Sequence, residues 1–249
     1  MIVHASYKRL QNIIPSLSPS RFFEALTGEV FPDGSVIFPS FTYCLKRKDG
    51  THEVYSSDKS IPKTGYLSQK FIEHPGVIRT SSPTHSFGLS GDVTNYIRGD
   101  NSPESPLGFG SVMQWVADSD NSYALLIGTD FTSFTFIHFL EHYYKVPYLE
   151  QFCWEDDYIA AAAGIEREIH LTEVPGCSKG FIKLEKFLLG NKLIQKQLFS
   201  GVPVYYINLR FLTDAADDFF KFHYAELLCS DEKCQCCASR KKYLQKEKF

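Results

Sequence analysis

The sequence lacks most of the features that assign a chain to a class at once. No apolar run approaches the ~18 residues that a membrane-spanning helix needs, so no transmembrane segment is expected. The opening Met1-Ile-Val-His-Ala-Ser6 has neither the basic stretch nor the long apolar core of a signal peptide. Basic charge is not in excess: 26 Lys and Arg stand against 29 Asp and Glu, a formal net charge of -3. That balance argues against a dedicated nucleic-acid binder. No G-x-S-x-G is present, which removes the strand-turn-helix nucleophile of one hydrolase class. There is no internal repeat, and no linker long enough to force a second domain. The seven cysteines are an odd number, and Cys229, Cys234, Cys236 and Cys237 crowd near the end. This is not the framework of a secreted disulfide scaffold, so a reduced, cytoplasmic protein is expected.

What is present is a globular composition, 43% hydrophobic and 15% aromatic, in 249 residues. That length allows one large domain with a sizeable core. Ile2–Ser6 reads as a strand. Ser18-Pro-Ser through Gly28 reads as a short helix with Ser or Pro at its start and Gly at its end. Residues 35–43 form a strand candidate after the Pro32-Asp-Gly34 turn. Residues 45–62 are a charged excursion, and residues 64–73 have helical spacing. Residues 87–91 and the compact apolar run 123–128 are strands, the latter suited to a sheet covered on both faces. Residues 111–117 and 133–144 are helices; in the second, Phe134, Ile137, His138 and Glu141 share one side. Later strand candidates are 169–172 and 202–208, with helix candidates at 183–189 and 215–228. Strand followed by helix, repeated, predicts an α/β fold with a central mixed sheet flanked by helices. The expected division is a single domain over 1–228 and a Cys-rich, basic, solvated tail over 229–249.

The densest polar motif is Arg79-Thr-Ser-Ser-Pro-Thr-His-Ser86, which sets His85 between the hydroxyls of Thr84 and Ser86. An imidazole with an ordinary pKa of about 6.5 can take and return a proton near neutrality. His138 and His142 lie one turn apart with Glu141 between them. They lack the H-E-x-x-H order and a third ligand, so no metal is expected there. The C-x4-C-x-C-C run at the end is not a finger spacing, and no paired knuckle exists elsewhere.

Several segments, taken in order, resemble the antibiotic N-acetyltransferase family, typified by aminoglycoside 3-N-acetyltransferases. Val3-His-Ala-Ser6 looks like the family's V-H-[AS]-S. Asp33-Gly-Ser-Val-Ile-Phe-Pro-Ser-Phe-Thr-Tyr43 looks like its D-G-T segment. Arg79 through Ser86 resembles R-[ST]-x-H-P-T-H-S. Asn101 through Ser111 is similar to the S-P-[FL]-G loop. Leu125-Leu-Ile-Gly-Thr-Asp130, with His138-Phe-Leu-Glu141 and Val146-Pro147, resembles L-L-L-G-x-x…H-x-x-E…x-P. The resemblance runs from Val3 to Pro147 and is weak beyond it. Ser82 stands where the family has its first motif histidine, and the N-terminus and the 43–64 excursion are short for the family.

The resemblance implies direct transfer of an acetyl group from acetyl-coenzyme A, a co-substrate, to an amine, with no acyl-enzyme and no metal. A mostly protonated amine needs a general base as it attacks. The expected base is His85, with Glu141 as the carboxylate that orients it and Thr84 beside the developing oxyanion. Ser6, Lys8, Arg79, Ser86, Ser105 and Gly108 are the residues expected against the phosphates and pantetheine arm. The expected partners are coenzyme A and an amino-sugar small molecule, not nucleic acid or membrane, with a homodimer left open. A polycationic aminoglycoside would want acids, which Asp130, Glu141 and Glu155-Asp-Asp157 could supply. An amino sugar on a nucleotide carrier would want basic and aromatic groups instead. A hydrolase using Cys or Ser with His85, and a non-catalytic binding relative, are the alternatives of other classes.

Overall fold

The computed structural model describes residues 1–45, 53–97, 104–151, 159–162, 167–172 and 175–246. Its strands are β1 (Ile2–Ala5), β2 (Ser35–Pro39), β3 (Ile78–Arg79), β4 (Phe87–Gly91), β5 (Tyr123–Ile127), β6 (Ile159–Ala162), β7 (Arg167–His170), β8 (Gln197–Phe199) and β9 (Val202–Asn208). The helices are α1 (Tyr7–Ile13), α2 (Pro19–Val30), α3 (Tyr66–Ile72), α4 (Val93–Tyr96), α5 (Val112–Asp118), α6 (Phe136–Tyr143), α7 (Ile182–Gly190), α8 (Leu209–Ala215), α9 (Asp217–Phe222) and α10 (Gln235–Lys246). Seven strands form one sheet in the order β3-β4-β2-β1-β5-β9-β8, and β6 and β7 pair separately. β1 runs parallel to β2 and to β5, while β4, β9 and β8 add antiparallel. The expected α/β fold with a mixed sheet and flanking helices is the one observed.

Period-2 alternation explains the two layers. Ile2, Ile37, Ala124 and Leu126 enter the larger core, which α5, α6 and α7 cover. Val3, Val36 and Phe38 face the other way, against α2 and α3. There Phe23, Phe38 and Phe71 meet with ring centroids 4.5 to 5.7 Å apart. Truncating Phe71 would remove the centre of that cluster, at a cost of about 3–5 kcal/mol. Ser18 caps α2 by accepting the Arg21 N–H, with Pro19 in the first turn. Gly28 does not end that helix, which runs on to Val30. Ser111 caps α5 through the Met113 N–H.

Two expectations fail beyond β9. The single helix expected over 215–228 is broken into the end of α8, α9 and a 3-10 turn at Tyr224–Leu227. The segment expected to be a solvated tail forms α10, with Cys236, Cys237 and Arg240 buried. The buried carboxylate of Glu185 on α7 accepts the Phe131 N–H at 2.9 Å and the Tyr205 hydroxyl, fixing the 3-10 turn Phe131–Ser133 that follows β5.

Candidate active site

The parallel strands β1, β2 and β5 end together, and at their carboxyl ends lies a cleft of about 870 Å3. This is where open α/β sheets offer room for ligands, and the size suits a small-molecule site. β1 supplies His4 and Ala5, continuing to Ser6 and Arg9; β2 leads to Phe41 and Tyr43; β5 leads to Gly128 and Thr129. Gly128 has φ +66, and a Cβ there would sit 3.0 Å from Arg9 Cβ and 3.3 Å from Ser6 Cβ. The glycine lets the chain leave β5 across the start of α1. Both ends of the charged excursion, Tyr43 with Leu45 and Lys63 with Thr64, line the cleft as well.

From α6, His138 lines the cleft, and its Nδ1 lies 2.8 Å from Glu141 Oε2 one turn on. The other carboxylate oxygen accepts the Tyr148 hydroxyl. Behind it, the Arg240 guanidinium lies 5.2 Å from the Tyr148 ring centre. Burial pushes the Glu141 carboxyl up, but the hydrogen bond and charge of His138, the Arg240 charge and the Tyr148 hydroxyl outweigh it. The group lies below its ordinary range. Burial, then the Glu141 charge, holds Tyr148 well above the usual phenol range, so it donates. An ionised carboxylate can only accept, so the network assigns the His138 proton to Nδ1. When the ring is neutral, Nε2 then carries the lone pair, which is the state a general base needs.

His85 lines the same cleft. Its Nδ1 meets Thr84 Oγ1 at 2.9 Å, and its ring packs edge-on to Phe41 and Tyr43 at 4.6 and 5.3 Å. Its backbone N–H donates to Ser82 Oγ at 3.1 Å, so Ser82 serves the local turn. The pairing of Glu141 with His85 is therefore corrected: both Glu141 oxygens are engaged elsewhere, by His138 and Tyr148.

The model of the family described as aminoglycoside 3-N-acetyltransferase matches residues 2–221. The chain belongs to that family. As an aminoglycoside 3-N-acetyltransferase family member it is an N-acetyltransferase. Solved structures with the same fold include the apoenzyme of aminoglycoside acetyltransferase AAC(3)-IVa, at 21% identity over 97% of this chain and 89% of that one, TM-score 0.76. YokD from Bacillus subtilis shares 20% identity over 90% and 87% of the two chains, TM-score 0.70. AAC-IIIb in binary complex with CoASH shares 18% over 88% of each, TM-score 0.69. No curated protein sequence matches.

Of the residues expected to hold the co-substrate, Ser6 lines the cleft of this acetyltransferase, whereas Lys8, Arg79, Ser86, Ser105 and Gly108 do not. Arg79 is a tether. It donates to the carbonyls of Ser57, Ser60 and Ser40 and to Ser86 Oγ, and covers the Tyr55 ring. Ser86 Oγ in turn donates to the Ser40 carbonyl at 2.6 Å and is fully buried. Thr84 is buried beside His85 and is not a lining residue. Buried motif hydroxyls and a half-buried arginine satisfy backbone groups first. Asp130 caps the turn after β5 through the Thr132 N–H at 2.9 Å. Glu155-Asp-Asp157 lies outside the described residues.

Arg9, Lys63 and His4 are polar lining residues for which the sequence implied no role. Arg9 and Lys63 are cations at the cleft, and Lys63 also pairs with exposed Glu53. His4, within Val3-His-Ala-Ser6, is buried, and that burial pushes its imidazole down to about 3. Its Nε2 has no hydrogen-bond partner among the described residues. Its position near the carboxyl end of the central parallel strand, β1, was the available signal. Among the described residues, no helix is long and apolar enough to cross a membrane.

Proposed function

We propose that the chain transfers the acetyl group of acetyl-coenzyme A directly to an amine of an amino sugar, with His138 as the general base. The observation that carries this reading is a cleft-lining imidazole whose far nitrogen is held by a buried carboxylate. The amine nitrogen attacks the thioester carbonyl while His138 Nε2 takes its proton. Glu141 stabilises the imidazolium that forms and Tyr148 holds the carboxylate in place. Collapse of the tetrahedral intermediate breaks the C–S bond. The leaving thiolate takes the proton back from His138, so the products are the amide and free coenzyme A. The uncommitted Nε2 of neutral His4 suits a polar atom of a bound ligand, since an unsatisfied buried nitrogen costs about 1–3 kcal/mol. Arg9 and Lys63 suit the phosphates of coenzyme A.

An aminoglycoside is the acceptor class that the family name supports. AAC(3)-IVa has been solved, as a His-to-Ala variant, in complex with apramycin. One observation supports a second reading, an amino sugar on a nucleotide carrier. The described lining residues include the cations Arg9 and Lys63 and no carboxylate, which suits an anionic acceptor. A free-thiol release assay pairs acetyl-coenzyme A with aminoglycosides and with nucleotide-linked amino sugars. Turnover of either set, lost in His138→Ala with coenzyme A binding retained, is expected. A chain that fails to bind acetyl-coenzyme A would end the proposal.

A further inference from the structure

Away from the reaction centre, the sulfurs of Cys177, Cys229, Cys234 and Cys237 all lie within 4.8 Å of one another. None of the four is in a disulfide. They come from three places. Cys177 precedes the 3-10 turn Lys179–Phe181, Cys229 follows the turn Tyr224–Leu227, and Cys234 and Cys237 bracket the start of α10. In a tetrahedral site with Zn–S bonds of about 2.3 Å, the sulfurs stand about 3.8 Å apart, within reach of this arrangement. Cys234 and Cys237 have the C-x2-C knuckle spacing, which lets two sulfurs at a helix start face one point. The sequence run conceals this, because Cys236 interrupts it and the fourth sulfur sits far upstream.

The surroundings are those of a thiolate site. The Lys179 N–H donates to Cys177 Sγ at 3.4 Å, and the Cys229 N–H donates to Cys237 Sγ at 3.3 Å. Lys241 Nζ reaches the Cys229 carbonyl at 2.6 Å, and Lys179 pairs with Asp231 at 2.7 Å. The amide donors and the Lys241 ammonium offset part of the net negative charge of a four-thiolate complex, while the Lys179 charge is balanced by Asp231. Thiolate sets in tetrahedral array select zinc among the common divalent ions.

We propose that Cys177, Cys229, Cys234 and Cys237 bind one zinc ion as a structural site that clamps α10 and the 175–178 segment to the back of the cleft. Zinc replaces four thiol protons, which leave to solvent, with no change in oxidation state. The clamp matters to the site by position. Pro175, Gly176 and Ser178, next to Cys177, line the cleft. Arg240, one turn beyond Cys237, is buried against the Tyr148 ring, and Tyr148 holds Glu141. A Cβ on Gly176 would come within 2.2 Å of Arg240 Nη1, so the loop and α10 are in direct contact. The zinc is a staple behind the His138–Glu141 pair and takes no part in acetyl transfer.

The test uses the full chain as purified, without added metal, and reads metal content by mass spectrometry. About one zinc per chain is expected. Cys234→Ser should reduce it at least about tenfold, and Cys44→Ser, a buried cysteine outside the cluster, should leave it unchanged. If Cys234→Ser does not fold, the wild-type chain still decides. A strong chelator should expose the four cluster thiols to a thiol reagent and lower the melting temperature. Cobalt(II) added afterwards should give the thiolate charge-transfer and intense ligand-field bands of a tetrahedral sulfur site. Sub-stoichiometric zinc with chelator-insensitive thiols, iron in place of zinc, or cluster thiols joined in disulfides would each overturn the assignment. None of these readouts depends on the acceptor or on His138.

Discussion

His85 and His138 line one cleft and differ in what holds the nitrogen turned away from it. His85 Nδ1 meets a threonine hydroxyl in a box of aromatic rings. A hydroxyl donates or accepts with equal ease, so it leaves the tautomer open. His138 Nδ1 meets a buried carboxylate, which only accepts and which stabilises the cation formed when Nε2 takes a proton. The difference in kind is a difference in magnitude. A full charge about 4 Å away is worth about 4 kcal/mol at an effective dielectric of about 20, against about 1 kcal/mol for a neutral hydrogen bond. Polar density around a histidine is a poor guide to its chemistry; the charge of its one far-side partner is a better one.

The sharpest way to break this comparison is to remove each ring in turn. His138→Ala should lower kcat about 10³-fold with the dissociation constant of coenzyme A little changed. His85→Ala should act mainly on KM, with kcat down less than about tenfold. Steady-state kinetics together with calorimetric titration of coenzyme A check both. The reverse ranking would return the base to His85. Next in size is Glu141→Gln, which keeps the shape but lets the side chain donate, so Nδ1 no longer has to carry the proton. A loss of about 10²-fold in kcat is expected. Stability supplies a second readout. The folded Glu141 carboxyl lies below its unfolded value, so its contribution is present above about pH 4.3 and is lost as pH falls through the folded value. Acid unfolding curves of Glu141→Gln should therefore be flatter below about pH 4.3 than those of the parent chain.

Five strands of the main sheet, β1, β2, β4, β5 and β9, were legible in the sequence as short apolar runs with sharp ends, whereas the short β3 and β8 were not. β4 and β9 fall on the expected residues, 87–91 and 202–208, and β5 ends at Ile127, one residue before the expected Gly128. The helix bearing His138 and Glu141 was legible too, through their spacing with Phe134 and Ile137. What was not legible was partnership across the chain. Glu141 sits three residues from His138 and 56 positions from His85, yet motif order favoured the distant partner. Arg79 looked like a phosphate ligand, because nothing local shows that the carbonyls of Ser40, Ser57 and Ser60 gather around it. Cys177, 52 positions before Cys229, carries no local sign of the cluster for the same reason. Long-range satisfaction of buried polar groups is a property of the fold, and a linear pattern carries it weakly.

The smallest expected effect concerns the third histidine of the cleft, and it separates a buried ring from a titrating one. His4 is held neutral by desolvation, with its pKa near 3 against about 6.5 in an unfolded chain. Between those values the unfolded chain binds the extra proton, so the contribution is complete above about pH 6.5 and declines toward about pH 3. From pH 7 to 5.5 the loss amounts to about 1 kcal/mol, or about 2–4 °C in Tm for a chain of this size. His4→Gln cannot take that proton. Its melting temperature should therefore fall less than the parent's over the same interval, whatever its absolute stability. Equal slopes would mean that His4 titrates in the folded chain. Its Nε2 would then be open to protons from the cleft, and His138 would have a rival as the base.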